Sequence, residues 1–142
     1  MGTEENKALV RRLVDAQNAE WAGGAAIDRA EFFTPDRRYR TETVEGREAA
    51  ARSHIAWTGA HHTIEQLIGE DNVVIAVHRV SARHSGDYWG IPATGRIVEF
   101  EAVFIHRFRD GKIAETVRFA HDIRRILAIG GTVGVPGRTT PV

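Results

Sequence analysis

Residues 86–131, GDYWGIPATGRIVEFEAVFIHRFRDGKIAETVRFAHDIRRILAIGG, constrain the fold of this chain more than any other stretch. Two runs with apolar residues at every second position meet at Asp110-Gly111, a pair that favours the positive-φ turn of a tight hairpin. The pattern predicts a long strand, the hairpin, a second strand, and a short helix stopped by Gly130-Gly131. HTIEQLIG and VVIAVHRVSARHSG precede it with the same alternation, so RIVEFEAVFIHRFR and KIAETVRFAHD complete four consecutive strands. The region before them reads differently. Leu9, Leu13, Ala16 and Trp21 fall at near-helical spacing over residues 4–22, and Gly23-Gly24 ends that helix. A second short helix fits Ile27 to Phe33, barred from continuing by Pro35. Asp36 to Glu42 reads as a short strand, and a third helix runs from Arg47 to about Trp57. Helices followed by strands is the α+β order, in which helices cover one face of a mostly antiparallel sheet.

Composition narrows the function classes. The 142 residues suit one domain with one good core. Nineteen basic residues balance nineteen acidic ones, which argues against nucleic acid, an anionic membrane surface or a polyanionic substrate. There is no cysteine, hence no disulfide and no thiol nucleophile. The start, MGTEENKALVRR, lacks the basic flank and apolar run of a signal peptide, and the expected compartment is the cytoplasm. No segment approaches the roughly 18 apolar residues of a membrane span. No histidine pair of HxxxH or HxH type lies on one element beside a carboxylate, so no metal site is expected.

The pieces NKALVRRLVDAQN, EFFTPD, EGREA, TIEQLIGEDNVV, RHSGDYWGIPATGR and HRFRDGKIAE appear in this order across nearly all of residues 6–131. In this they resemble the SnoaL-like polyketide cyclases, within the nuclear-transport-factor-like and ketosteroid-isomerase-like superfamily. The resemblance implies a single cone-shaped α+β domain over residues 1–131. In it a strongly curved sheet wraps on about three N-terminal helices and encloses one apolar pocket. It also implies frequent homodimers packed sheet to sheet, and chemistry without a metal or organic cofactor. Residues 132–142, rich in Gly and Pro, read as a flexible tail or an arm laid on a partner.

The family pattern implies a glutamate, a Trp two positions on, and a catalytic Asp four beyond that. Here Glu115 keeps the glutamate, Val117 replaces the Trp, and the Asp position falls on His121, with Asp122 next. By strict alternation Val117, Phe119 and His121 share one face and Arg118, Ala120 and Asp122 the other. Either His121 faces the pocket as the base, the reading favoured here, or a bulge at the strand end turns Asp122 inward. Asp122 also suits the N-cap of the terminal helix. An imidazole titrating near 6.5 makes a suitable base, worth ~10²–10⁴ in rate when positioned. His106 follows Phe100, Ala102 and Phe104 at period two, and hairpin counting opposes it to roughly residue 115. It is either a satisfied core residue or a third catalytic candidate.

The candidate substrate-contacting residues are Tyr39, Arg40, Trp57, His78, His84, Trp89, Phe104 and Phe119. Arg40 would favour an anionic or enolate-like group if it pointed inward. His84 sits in the RHSGDYWG turn, where a structural hydrogen bond is the alternative role, and His61-His62 read as solvated. The expected function is a cofactor-independent acid–base enzyme acting on a small hydrophobic, polyketide-like substrate. Cyclisation by proton abstraction and intramolecular aldol closure leads. An isomerase, a dehydratase or an epoxide hydrolase would use the same parts, and a non-catalytic small-molecule-binding or dimerisation module is the other class.

Overall fold

The computed structural model describes residues 2–41 and 55–140, the last three of these by backbone alone. Helix α1 (Thr3–Trp21) has Glu4 and Glu5 in its first turn, where carboxylates complement the helix dipole. It buries Leu9, Val10, Leu13 and Val14 along one stripe. Helix α2 (Arg29–Phe32) is capped by the Asp28 carboxylate, which accepts from the Ala30 amide at 3.1 Å. The chain then passes directly into β1 (Phe33–Thr41), which starts three residues earlier than the sequence suggests and carries Pro35. A proline is tolerated there because β1 is an edge strand. Strands β2 (Trp57–Glu70), β3 (Val73–His84), β4 (Ile97–Arg109) and β5 (Lys112–Ala120) follow, then helix α3 (Asp122–Ala128). A separate ladder pairs β6 (Val133–Val135) with β7 (Arg138–Thr140). The helix expected from Arg47 falls almost wholly outside the described residues, while Trp57, expected at its end, instead opens β2.

The sheet order is β1-β5-β4-β3-β2, antiparallel except for the β1–β5 pair, which is parallel. Its concave face carries the even-numbered residues of β3 and β4: Val74, Ala76, His78, Val80, Ala82 and His84, opposite Val98, Phe100, Ala102, Phe104, His106 and Phe108. Helices α1 and α2 cover one end of that face, with Leu9, Val10, Leu13 and Phe32 packed on Val74, Ala76, Phe108 and Ile113. The chain around α3 covers the other end, with Ile129 packed on Trp57, Ala82, Tyr88 and Val98. This is the curved α+β architecture expected from the sequence, with the space between the two covers left open. Among the described residues no helix is long and apolar enough to cross a membrane.

Irregularities in two strands set which residues face that space. In β2 the register against β3 slips by one between Thr58 and His61 and again between Ile64 and Gln66. Such bulges bend a strand and increase its twist. In β5, Phe108 opposes Ile113 but Arg107 opposes Glu115, so Ala114 is one residue too many. A one-residue slip exchanges the two faces of everything beyond it. Ile113 points inward, and after the bulge so do Thr116, Arg118 and Ala120, while Val117 and Phe119 turn to the convex face. The strict alternation assumed from sequence is therefore wrong by one residue in β5, because the bulge lies at the strand's start. His121 continues the outward set and is exposed. Asp122 turns inward and is 1% exposed.

Deleting Ala114 removes only the residue without a partner: Ile113 stays opposite Phe108 and Glu115 opposite Arg107, so Arg118 and Asp122 should still face inward and the Asp122–Arg125 pair should survive. The expected cost is that of the lost local bend alone, about 1 kcal/mol, read as a small fall in the urea midpoint. Ala114→Ser keeps the bulge and should stay within about 0.5 kcal/mol.

Candidate active site

The concave face encloses a cavity of about 490 Å³, within the roughly 300–1,000 Å³ usual for small-molecule sites. Its apolar wall comes from Leu13 and Val14 of α1, Phe33 of β1, Val80 of β3 and Phe100 and Phe104 of β4. Among the described residues, three histidines and four arginines are set into that wall, a polar inventory much denser than a core needs.

The first polar cluster joins β1, β5 and β4. Arg37 donates from Nη2 to the Thr116 hydroxyl at 2.9 Å, and Thr116 Oγ1 lies 2.9 Å from His106 Nδ1. These contacts exist because the β4–β5 register places His106 directly opposite Thr116. Thr116 accepts from Arg37 and has its own proton to give to His106 Nδ1, an arrangement that pairs with the Nε2–H tautomer of the ring. Burial, then the charges of Arg37 and His78, push the His106 pKa down to about 3, so the ring is neutral at ordinary pH. Arg37 lies 3.9 Å over the Phe33 ring, and burial followed by the neighbouring Arg29 lowers its pKa to about 10. It thus remains a cation at neutral pH. Its Nε is buried with no hydrogen-bond partner among the described residues.

The second cluster joins β2 and β3. His62 Nδ1 and His78 Nδ1 face each other at 2.9 Å, with the rings nearly perpendicular. His78 is 3% exposed, and burial lowers its pKa to about 4. Its Nε2 is buried without a partner among the described residues. Asn18 of α1 clamps the His62 backbone from both sides, accepting from its amide and donating to its carbonyl at 2.8 Å each. The Trp21 ring packs on His62 with centroids 4.9 Å apart. Phe104 separates the two clusters, 4.5 Å from the His78 ring and 6.1 Å from the His106 ring.

The third cluster is ionic. Asp122 Oδ1 accepts from Arg125 Nη2 at 2.6 Å and lies 3.8 Å from Arg118 Nη2. The Asp122 and Arg125 side chains are 0% and 3% exposed. The Arg125 guanidinium also sits over the rings of Phe100, Tyr88 and Trp57 at 4.5, 5.0 and 5.4 Å. Arg118 and Arg125 line the cavity, and Asp122 stands behind them as their counter-charge. Among the described residues no cluster of three His, Cys, Asp or Glu could hold a metal ion.

Several residues singled out from the sequence thus meet in one cavity: Tyr39, Trp57, His78, Phe104 and His106 all line it. Others do not. His121 is exposed at the start of α3, its amide bonded to the Glu101 carbonyl at 3.0 Å, so it is not a pocket base. Phe119, 43% exposed, lies on the convex face because of the β5 bulge. Arg40 is exposed because Arg37, Tyr39 and Thr41 take the inward positions of β1. Trp89, 55% exposed, sits in a turn at φ 54° away from the cavity. His84 is wholly buried, but it packs 5.1 Å from Trp57 and bonds Thr94, its Nδ1 accepting from the Thr94 amide at 3.2 Å. It holds the loop before β4. Arg37, His62, Thr116, Arg118 and Arg125 were missed, and His62 was expected to be solvated. Only the HTIEQLIG pattern, which opens on His62, could have signalled one of them.

Comparison with known proteins is consistent with this geometry. A family profile for SnoaL-like polyketide cyclases matches residues 8–123. The chain is 33% identical over 120 residues to the aklanonic acid methyl ester cyclase DnrD of Streptomyces peucetius, covering 75% of this chain and 78% of that one. Among solved structures, AclR of Streptomyces galilaeus, a candidate hydroxylase, superposes with a TM-score of 0.75 at 23% identity, over 95% of this chain and 91% of that one. A SnoaL-like polyketide cyclase of Agrobacterium tumefaciens superposes with a TM-score of 0.68 at 14% identity, over 92% and 100%. These two likenesses concern the fold alone.

Two outcomes follow from the buried groups. Asp122→Asn removes the counter-charge of a buried guanidinium and should cost about 3–5 kcal/mol, measured by urea denaturation. His78 and His106 stay neutral in the folded chain while the same rings in the unfolded chain protonate near 6.5. Their stabilisation is therefore complete above pH 6.5 and is lost on acidification towards pH 4, by roughly 1 kcal/mol per pH unit for each ring. Denaturation midpoints at pH 7 and pH 4.5 measure this slope, and His106→Gln should reduce it by about half.

Proposed function

The chain belongs to the SnoaL-like polyketide cyclase family, and we propose that it closes a carbocycle in a small, largely apolar polycarbonyl substrate by an acid–base aldol reaction. One observation carries this reading. His78 Nε2 and Arg37 Nε are both buried, both without a partner among the described residues, and both belong to side chains lining the same apolar cavity. A buried polar atom left unpaired costs roughly 1–3 kcal/mol, and an occupant offering a removable proton and an oxygen would satisfy both.

The roles follow from charge. A carbon acid between two carbonyls gives up its proton to His78 Nε2, and the resulting enolate oxygen takes its hydrogen bonds from Arg37 and from His106 Nε2–H. Preorganised donors of this kind are typically worth ~10²–10³ in rate each. The depressed basicity of His78 arises from burial alone, and the enolate's negative charge offsets it as the proton moves. The enolate carbon then attacks a second carbonyl of the same molecule, a C–C bond forms, and the new alkoxide recovers a proton. Nothing is oxidised or reduced in this sequence. Asp122 holds Arg118 and Arg125 in place and is a positioning residue in this scheme.

Aklanonic acid methyl ester, the compound named for DnrD, is tested beside a panel of β-ketoesters. With an accepted substrate, His78→Gln should lower kcat about 10²–10⁴-fold and Arg37→Met about 10²–10³-fold, with KM moving much less. Binding by the panel without cyclisation, and without exchange of the acidic C–H for deuterium, would instead make the chain a binding module.

A further inference from the structure

The His62–His78 contact does more than hold two rings together. An Nδ1···Nδ1 distance of 2.9 Å contains one proton, so when both rings are neutral one is the Nδ1–H tautomer and the other the Nε2–H tautomer. With the proton on His78, its Nε2 carries a lone pair and is a base. With the proton on His62, His78 Nε2 carries a hydrogen and is a donor. The same atom is buried and without a partner among the described residues, on a ring that lines the cavity.

We infer that His62 and His78 form a two-imidazole proton relay, in which His62 stores the proton that His78 takes from the substrate and returns it for protonation of the product. The inference rests on the cyclase reading for its catalytic use, and on the geometry alone for the relay. The balance closes. The C–H proton moves to His78 Nε2 while the His78 Nδ1 proton moves to His62 Nδ1. His62 becomes the imidazolium and His78 a neutral Nε2–H donor. After ring closure the alkoxide takes the Nε2 proton, His62 returns its own to His78 Nδ1, and both rings regain their starting tautomers.

The surroundings favour a cation on His62 over one on His78. His62 is only half-buried and packs against Trp21, whose π face attracts a cation, whereas His78 is 3% exposed. Among the described residues, the charged groups lining the same cavity are Arg29 of α2, Arg37 of β1, Arg118 of β5 and Arg125 of α3, with Asp122 behind the last two. His106 of β4 and Tyr39 of β1 are the other titratable rings among the described lining residues. Because the sheet runs β1-β5-β4-β3-β2, moving the charge from β3 to β2 takes it one strand farther from Arg37 and Arg118. The Asn18 clamp fixes the His62 backbone, so the donor–acceptor distance does not depend on a mobile loop.

Long-range ¹H–¹⁵N spectra of the wild-type imidazoles, recorded from pH 8 to pH 5, test the relay without a substrate. The expected result is a pair with opposed tautomers at pH 8. On acidification His62 should become the imidazolium, with His78 found as the Nε2–H tautomer at the same midpoint, uncharged. A His78 ring whose tautomer is unrelated to the His62 state, or two rings that protonate independently, overturns the relay. His62→Phe keeps a flat ring against Trp21 and should uncouple His78, and the wild-type titration decides the matter if this variant does not fold. Given an accepted substrate, His62→Phe should lower kcat at least tenfold with KM nearly unchanged, and free imidazole should restore part of the rate in His62→Gly, which vacates the ring's space. Unchanged kcat overturns the catalytic use. Coupled tautomers in a protein that cyclises nothing would leave the relay standing and remove the cyclase reading.

Discussion

One surplus residue in β5 decides the chemistry of this cavity. Because Ala114 has no partner opposite it, every side chain beyond it faces the opposite way from the strict alternation expected from the sequence. Thr116 then lies opposite His106, Arg118 enters the cavity, and Asp122 arrives behind Arg125. Were Ala114 paired in the ladder, Val117, Phe119 and His121 would occupy that wall and the convex face would carry the buried ion pair. A local defect in one ladder thus selects between two different sites.

The site this produces is governed by desolvation. Neutral imidazoles and charged guanidiniums are arranged on an apolar wall, and the carboxylate sits in the second layer. Burial keeps His78 and His106 uncharged, which preserves them as hydrogen-bond donors or proton acceptors at neutral pH. Arg37 adds a positive charge at the corner where Phe33 and Thr116 hold it. An interior with this balance stabilises negative charge developing on a bound molecule more than positive charge, which is the electrostatic demand of enolate formation.

Stability and function draw on the same groups here. The Asp122–Arg125 pair closes one end of the cone, and the Trp57 and Tyr88 rings beside Arg125 belong to the cluster that seats α3. Asn18 ties α1 to β2 through the backbone of a cavity-lining histidine. Substitutions in this wall therefore change packing as well as chemistry.

The sequence by itself determined the α+β order, the Asp110-Gly111 hairpin at φ 52° and 76°, the inward phase of β4 and so the placement of His106. These are local properties: periodicity within one strand, turn residues at one position, helix stripes and breakers. It also carried enough of the motif order to identify the family. Only the tertiary structure decided that Asp122 and not His121 turns inward, that Arg37 and not Arg40 faces the cavity, and that His62 meets His78. Each depends on the register of one strand against another, such as Arg107 against Glu115, Arg38 against Glu115 or His62 against Val80. Alternation within a single strand is blind to a bulge, because the extra residue is defined only by the partner it lacks.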